Sequence, residues 1–175
     1  MPAQIKNQNL PEIALIMGSK NDLPLLEGAI NIFDKFDIKY MVRVMSAHRT
    51  PGIAAEFASN AEANGIKVLI CAAGMAAHLA GAMAANSTLP VIGIPIPSEP
   101  FNALDSLLAT VQMPPGIPVA TVTAGKAGAI NSALFAISIL ALNNHKLAEK
   151  LKQYRAEQTE KAIQADQEVI EKFNK

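Results

Sequence analysis

The sequence predicts a doubly wound three-layer αβα sandwich around a five-stranded parallel sheet, with a helical arm at its C-terminal end. Three observations predict it. Short unbroken apolar runs such as Ile13-Ala-Leu-Ile-Met17 recur along the chain, segments of helical spacing separate them, and half of the 175 residues are hydrophobic while only 17% are charged. An apolar run without alternation is a strand buried on both faces. Bringing the chain back to the same end of a parallel sheet requires a helix in each crossover.

The elements follow in order. Ile13 to Met17 is the first strand, closed by Gly18-Ser19. Leu25, Leu26, Ala29, Ile30 and Phe33 then recur at helical spacing, with Asp22 as N-cap and Pro24 in the first turn. Ile38, Tyr40, Val42 and Val44 alternate with Lys39, Met41 and Arg43, the pattern of a half-buried strand at a sheet edge. Thr50-Pro51 opens a second helix, with the threonine hydroxyl as cap, and Asn64-Gly65 stops it. Next come a strand over Val68 to Ala72, an alanine-rich helix over Ala77 to Ser87, and a strand over Val91 to Ile94 fenced by Pro90 and Pro95. Asn102 to Thr110 is a short helix, Met113 to Pro118 a rigid loop, and Val119 to Val122 the fifth strand. Lys126 to Asn143 is apolar nearly all round, so it is expected to be buried, with neighbouring subunits among its possible covers. Lys146 to Phe173 is a charged helical pattern with Leu147, Leu151, Tyr154, Ile163 and Ile170 as sparse anchors, either an arm on a neighbour or a frayed tail. The expected organisation is a polar tail over 1–10, an α/β catalytic domain over 11–145 and a C-terminal helix over 146–175.

Composition excludes several functions. Fifteen basic residues balance fifteen acidic ones, so no net field draws the chain to nucleic acid or to an anionic membrane. Aromatic residues make up 5% and tryptophan is absent, which leaves few platforms for stacking bases. The apolar stretch Val68 to Ala85 has nearly the length of a membrane span, but His78 and two glycines break it into strand, loop and helix. Cys71 is the only cysteine, so the chain has no internal disulfide or CxxC pair, and with no apolar leader at the start the expected location is the cytoplasm. The charges are unevenly spread. Thirteen lie between Lys146 and Lys175, but Val68 to Asn143 holds only Glu99, Asp105 and Lys126. A surface that poor in charge predicts cover by other subunits, hence a homo-oligomer.

In a doubly wound sheet ligands bind beyond the carboxyl ends of the strands. The segments there are Gly18-Ser-Lys-Asn-Asp22, Ser46-Ala-His-Arg49, Gly74-Met-Ala-Ala-His78, Pro97-Ser-Glu-Pro100 and Ala124-Gly-Lys-Ala-Gly128. Gly18-Ser19 precedes a helix terminus able to attract a phosphate, although read alone it is an ordinary capped turn. It lacks the three-glycine dinucleotide fingerprint, and Ala124 to Gly128 lacks the full P-loop pattern, so bound NAD and ATP are both disfavoured. Ser46-Ala-His-Arg49 is more informative. Arg49 offers a planar fork of donors for an anion, and the imidazole of His48 exchanges a proton near neutrality. His78 has three possible places: a loop cap, a ligand contact, or a hydrogen-bonded core residue. His145 falls in a linker between helices. No carboxylate stands where a Ser-His-Asp triad needs one, and two scattered histidines make no metal site, so neither triad nor metal is expected.

These loops carry a resemblance. Met17-Gly-Ser-Lys-Asn-Asp22, Ser46-Ala-His-Arg-Thr-Pro51, Ala76-Ala-His-Leu79, the run from Asp105 to Pro118 and Gly125-Lys-Ala-Gly-Ala-Ile-Asn131 resemble the class I PurE family. These are the N5-carboxyaminoimidazole ribonucleotide mutases of de novo purine biosynthesis, and the likeness runs from Ile13 to about Arg155. It implies a flavodoxin-like fold and movement of a carboxylate from the exocyclic nitrogen to ring carbon C4, with no ATP, biotin or metal cofactor. It also implies that His48 is catalytic, that Ser19 and Arg49 bind the 5′-phosphate and Asp22 the ribose, and that Ser46, Ala47, Gly74 and Ala76 line the base pocket, with His78 among the substrate contacts. The family's assembly implies a homo-octamer in which the C-terminal helix reaches its neighbours. The sequence departs from the family pattern at Asn21 (usually Ser), Met75 (often a second Gly), Ala80 (often Pro), Phe101 (usually Leu) and Ala103 (usually Gly). The alternatives are a direct CO2-dependent aminoimidazole ribonucleotide carboxylase, a non-catalytic nucleotide binder, and a flavin binder on the same fold.

Overall fold

The computed structural model describes residues 10–174, so nearly all of the tail expected over 1–10 lies outside the described residues. The elements are β1 (Ile13–Met17), α1 (Leu23–Lys35), β2 (Tyr40–Val44), α2 (Pro51–Asn60), β3 (Val68–Gly74), α3 (Leu79–Ala85), β4 (Val91–Ile96), α4 (Leu104–Val111), β5 (Ala120–Thr121), α5 (Gly125–Ala141) and α6 (His145–Phe173). The strands form one sheet in the order β2-β1-β3-β4-β5, every neighbouring pair parallel. The expected five-stranded doubly wound α/β fold is the one observed, with β2 at an edge. Among the described residues no helix is long and apolar enough to cross a membrane.

β1 and the first five residues of β3 are wholly buried, which is why their sequences are continuously apolar. Alternate residues face opposite layers. Ala14, Ile16, Leu69 and Cys71 pack with Ala54 and Ala58 of α2 and with Leu79, Ala80 and Met83 of α3. A side chain at Gly93 would overlap the Thr110 methyl group, so α4 lies against β4 on that face. On the opposite face α5 packs beside Ile94, and a Cβ at Gly28 of α1 would come within 2.9 Å of Ile130 of α5.

Several boundaries differ from the sequence reading. β2 begins at Tyr40 because the amide of Ile38 is bonded to the Phe33 carbonyl at the end of α1. α2 stops at Asn60, and residues 61–65 close as turns into Gly65, whose φ of 87° favours glycine. α3 starts at Leu79 because the amides of Ala77 and His78 reach back only two residues. α4 starts at Leu104 because Asn102 and Ala103 are left-handed. β4 runs through Pro95 to Ile96. β5 pairs only as far as Thr121 opposite Gly93, so the missing N–H of Pro95 takes no bond from that ladder. The helix read as starting at Lys126 is apolar all round in sequence but not buried all round in this chain, since Ile130 and Phe135 are exposed.

The chain divides into two compact units between Ala136 and Ile137, inside α5. The first holds the sheet and α1 to α4. In the second, the Asn144 side chain caps α6 by accepting from the Leu147 amide at 3.1 Å, and His145 is the first residue of that helix, not a linker. Ile163 and Ile170, two of the anchors read from the sequence, are exposed along with Val169 and Phe173.

Candidate active site

Parallel register fixes where the strands end. Met17 lies opposite Val44 and Ala72, and Gly74 opposite Ile96, so the loops after β1, β2, β3 and β4 leave the sheet side by side. Between them is a cavity of about 560 Å³. All nine residues singled out in the sequence (Ser19, Asp22, Ser46, Ala47, His48, Arg49, Gly74, Ala76 and His78) border it.

Each loop is held by its own short polar side chains. The Ser46 hydroxyl oxygen accepts from the amides of His48 at 3.3 Å and Arg49 at 3.1 Å. Thr50 Oγ1 accepts from the Ser46 amide at 2.9 Å and donates to the Ser46 carbonyl at 3.1 Å. Thr50 therefore does not cap α2, as the sequence suggested; its hydroxyl closes the loop instead. Asp22 is a similar correction. It occupies the N-cap position of α1 without a capping bond, and its Oδ2 accepts from the Ser19 amide at 3.2 Å while Ser19 Oγ accepts from the Asn21 amide. The two loops are tied together by Arg49, whose Nη2 donates to the Gly18 carbonyl at 2.8 Å. A guanidinium carries five N–H groups, and the others are left for an anion.

Electrostatics single out Asp22. Burial pushes its carboxyl above the ordinary aspartate value, and the Ser19 amide and the Arg49 charge offset that only in part. Cys71 lies fully buried under the site, and burial pushes its thiol far up, so it is inert. Among the described residues no group of three or more His, Cys, Asp or Glu converges to hold a metal ion.

The two histidines of the cavity meet. His48 Nε2 lies 2.9 Å from His78 Nδ1, with the rings at 74° and their centroids 4.9 Å apart. Both are exposed, which removes the core-histidine place for His78, and its side chain makes no capping bond to α3. Beside them Met75 is 64% exposed at a φ of 54°. That left-handed conformation is one glycine adopts freely and methionine does not. Ser98 also lines the cavity, and its buried Oγ has no hydrogen-bond partner. The sequence offered a signal for it, since Pro97-Ser-Glu-Pro100 follows a strand, but a serine between prolines suggests a turn as readily as a site.

Residues 12–161 match the family described as AIR carboxylase. The chain belongs to the AIR carboxylase family. It is 51% identical to the N5-carboxyaminoimidazole ribonucleotide mutase of Pyrococcus abyssi over 83% of both chains. It is 52% identical to the protein of that name from Saccharolobus solfataricus, over 83% of this chain and 90% of that one. With the Bacillus subtilis mutase the identity is 44% over 91% and 99%. A crystal structure of a PurE2 variant from Treponema denticola superposes with a TM-score of 0.82 at 27% identity, covering 91% of this chain and 98% of that one. A second, of Treponema denticola PurE, gives 0.80 at 28% identity over 94% and 99%. The α/β fold is thus that of an AIR carboxylase family member.

Two outcomes follow from this geometry. A left-handed residue other than glycine costs about 1–2 kcal/mol, and the freedom glycine adds to the unfolded chain takes back about 0.4–1 kcal/mol. Met75→Gly, which gives up little buried surface, therefore gains about 1 kcal/mol and is expected to raise the melting temperature by about 2–4 °C; an unchanged or lower value in a thermal melt counts against strain at this loop. Asp22 has its pKa raised on folding, so the folded chain holds that proton more tightly than the unfolded one, and stability is lost as pH rises through the folded value. Asp22→Asn, which keeps an acceptor for Ser19, is expected to be more stable than the parent near pH 7, with the difference vanishing below about pH 3, where both chains are neutral at this position. Melts across that range that show the opposite trend would remove the burial cost assigned to Asp22.

Proposed function

We propose that this chain is an N5-carboxyaminoimidazole ribonucleotide mutase of purine biosynthesis, an isomerase. The observation that carries this is its 44–52% identity with relatives of that name across most of both chains. In support, one cavity gathers an anion-binding guanidinium, an imidazole and small residues able to lie against a planar base.

In this reading Ser19 and Arg49 bind the 5′-phosphate, Arg49 as a fork already aimed by its bond to Gly18. Asp22 accepts from the ribose hydroxyls, and Ser46, Ala47, Gly74 and Ala76 flank the aminoimidazole. The bond from N5 to the carboxylate breaks and CO2 is released. The freed electron pair leaves the ring electron-rich, C4 attacks the CO2, and a new C4–carboxylate bond forms. C4 loses its proton and N5 gains one, so atoms and charge balance with no external oxidant or phosphoryl donor. His48 is the group that takes the proton from C4. The loops must keep water out and CO2 in for the second step to outrun escape.

The proposed assembly is a homo-octamer in the cytoplasm, with α6 packing on neighbouring subunits. What supports an assembly is α4, whose buried face is Ser106 and Thr110 and whose exposed face is Leu104, Leu107, Leu108 and Val111, next to exposed Phe101. A helix with its leucines outward is stable when something covers them.

Two experiments test these proposals. Conversion of N5-carboxyaminoimidazole ribonucleotide to the C4-carboxylated isomer, followed by absorbance without ATP and with a chelator, is expected; efficient product formation from aminoimidazole ribonucleotide and low bicarbonate instead would make the protein a direct carboxylase. In the same assay His48→Asn is expected to bind ribonucleotide and to lose about a hundredfold or more in kcat, and full activity would take His48 out of the reaction. Sedimentation is expected to give an octamer that Leu108→Glu breaks into smaller species, whereas a monomeric parent chain would overturn the assembly.

A further inference from the structure

Among the described residues four other than glycine are held at a positive φ, and of these Met75 alone borders the cavity. A methionine in that region is strained, and strain persists where the surroundings fix the backbone. They fix it here. Gly74 ends β3 level with Ile96, and a Cβ there would lie 3.2 Å from the Ile96 carbonyl oxygen. Beyond Met75 the amides of Ala77 and His78 bond back to the carbonyls of Met75 and Ala76, at 2.9 and 2.8 Å. The side chain carried by this rigid backbone is itself unconfined. Among the described methionines Met75 is the exposed one: Met17, Met45 and Met83 are buried, and Met41 and Met113 are half-buried.

No other apolar residue of the wall is able to cover a ligand. Leu79 and Ile96 are buried, Pro97 is a rigid ring, and Ala47, Ala73 and Ala76 end at Cβ. A methionine side chain has three rotatable bonds, no charge and no N–H or O–H donor. The mutase reaction calls for such a group, because CO2 released from N5 carries no charge for Arg49 to hold, and a closed, dry wall is what keeps it beside C4. We propose that Met75 is the cover of the reacting carbon: with ribonucleotide bound, its thioether folds over the aminoimidazole, so that capture of CO2 at C4 outruns escape. This rests on the mutase reading and deepens it by naming the residue that sets the partition. In the escape branch the N5–carboxylate bond breaks, CO2 leaves for solvent, and N5 takes a proton from water, so that free aminoimidazole ribonucleotide is left.

Two measurements on the full chain test this. Hydrogen peroxide passes one oxygen to an accessible thioether, leaving water, and peptide mass spectrometry reads each methionine separately. Aminoimidazole ribonucleotide, at a concentration that calorimetry shows to be saturating, is expected to slow oxidation of Met75 severalfold, while Met41 and Met113, outside the cavity wall, keep their rates. Equal Met75 rates with and without the ribonucleotide would overturn the cover. The second measurement starts from the C4-carboxylated isomer, since a carbamate sheds CO2 unaided, in buffer containing 13C-bicarbonate. Label enters the C4 carboxylate only when the original CO2 has left the cavity. Relative to mutase kcat, Met75→Gly is expected to speed label entry by about tenfold, the low end of what one apolar group in a pocket discriminates. Met75→Leu, apolar and of similar volume, is expected to stay within about twofold of the parent, and Met75→Gln, of similar length but polar, to leak as Met75→Gly does. Label entry at the parent rate in Met75→Gly, whatever its melting temperature, would reduce Met75 to a local strain and overturn the proposal. A parent chain that protects Met75 but has no mutase turnover would refute the proposed function and keep the cover; turnover with Met75 unprotected would refute the cover alone; and no ribonucleotide binding would refute both.

Discussion

The parallel register of β1 with β2 and β3 is the constraint on which the rest depends. Because Met17 pairs level with Val44 and with Ala72, β1 and β2 end at one height, and β3 runs only two residues further, to Gly74 opposite Ile96 of β4. The loops that follow, beginning at Gly18, Met45, Met75 and Pro97, then have to share one mouth. No side chain of those loops chooses its neighbours; the ladder does. A slip of one residue in β1 or β3 would exchange their side chains between the two helical layers, and because both faces are buried every one of those side chains would have to repack.

Given that mouth, the short polar residues finish the construction. Ser46 and Thr50 exchange bonds with the backbone of their own loop, and Asp22 with Ser19. This is where reading the sequence assigned the right residues to the wrong task. A hydroxyl or carboxylate near a helix start faces two sets of unpaired amides, those of the first turn and those of the loop before it, and spacing alone cannot rank them. The loop wins for Asp22 and Thr50 because the amides they bond, those of Ser19 and Ser46, are partly buried, where an unbonded N–H costs more than at an exposed helix end.

The strands were legible because an unbroken apolar run has few other uses, and the edge position of β2 because its alternation needs one wetter face. The helix starts were less legible. Asn102 and Ala103 are left-handed, as is Met75 before α3, and nothing about a methionine or an alanine announces a positive φ. Glycine is the residue that adopts such a φ without strain, and neither Met75 nor Ala103 is one. The direction of α4 was illegible for another reason. Its periodicity shows that a leucine face exists, but only the packing of Thr110 against Gly93 reveals that this face points away from the sheet. The charge-poor stretch around α4 was the one hint in the sequence that such a surface needed a cover.

The contact between His48 and His78 joins residues thirty positions apart, and no spacing rule reaches that far. Its chemistry suits the substrate proposed here. In a serine hydrolase triad a carboxylate orients the histidine and steadies the imidazolium. A mutase substrate brings a phosphate and a carboxylate to the site, and its product carries the carboxylate on carbon. A second carboxylate behind the histidine would repel both and would raise the barrier to forming a new carboxylate at C4. An imidazole in that place brings no negative charge. The cavity wall agrees with that logic: its one acid, Asp22, is held beside Arg49 and the Ser19 amide, and burial already pushes it toward its neutral form.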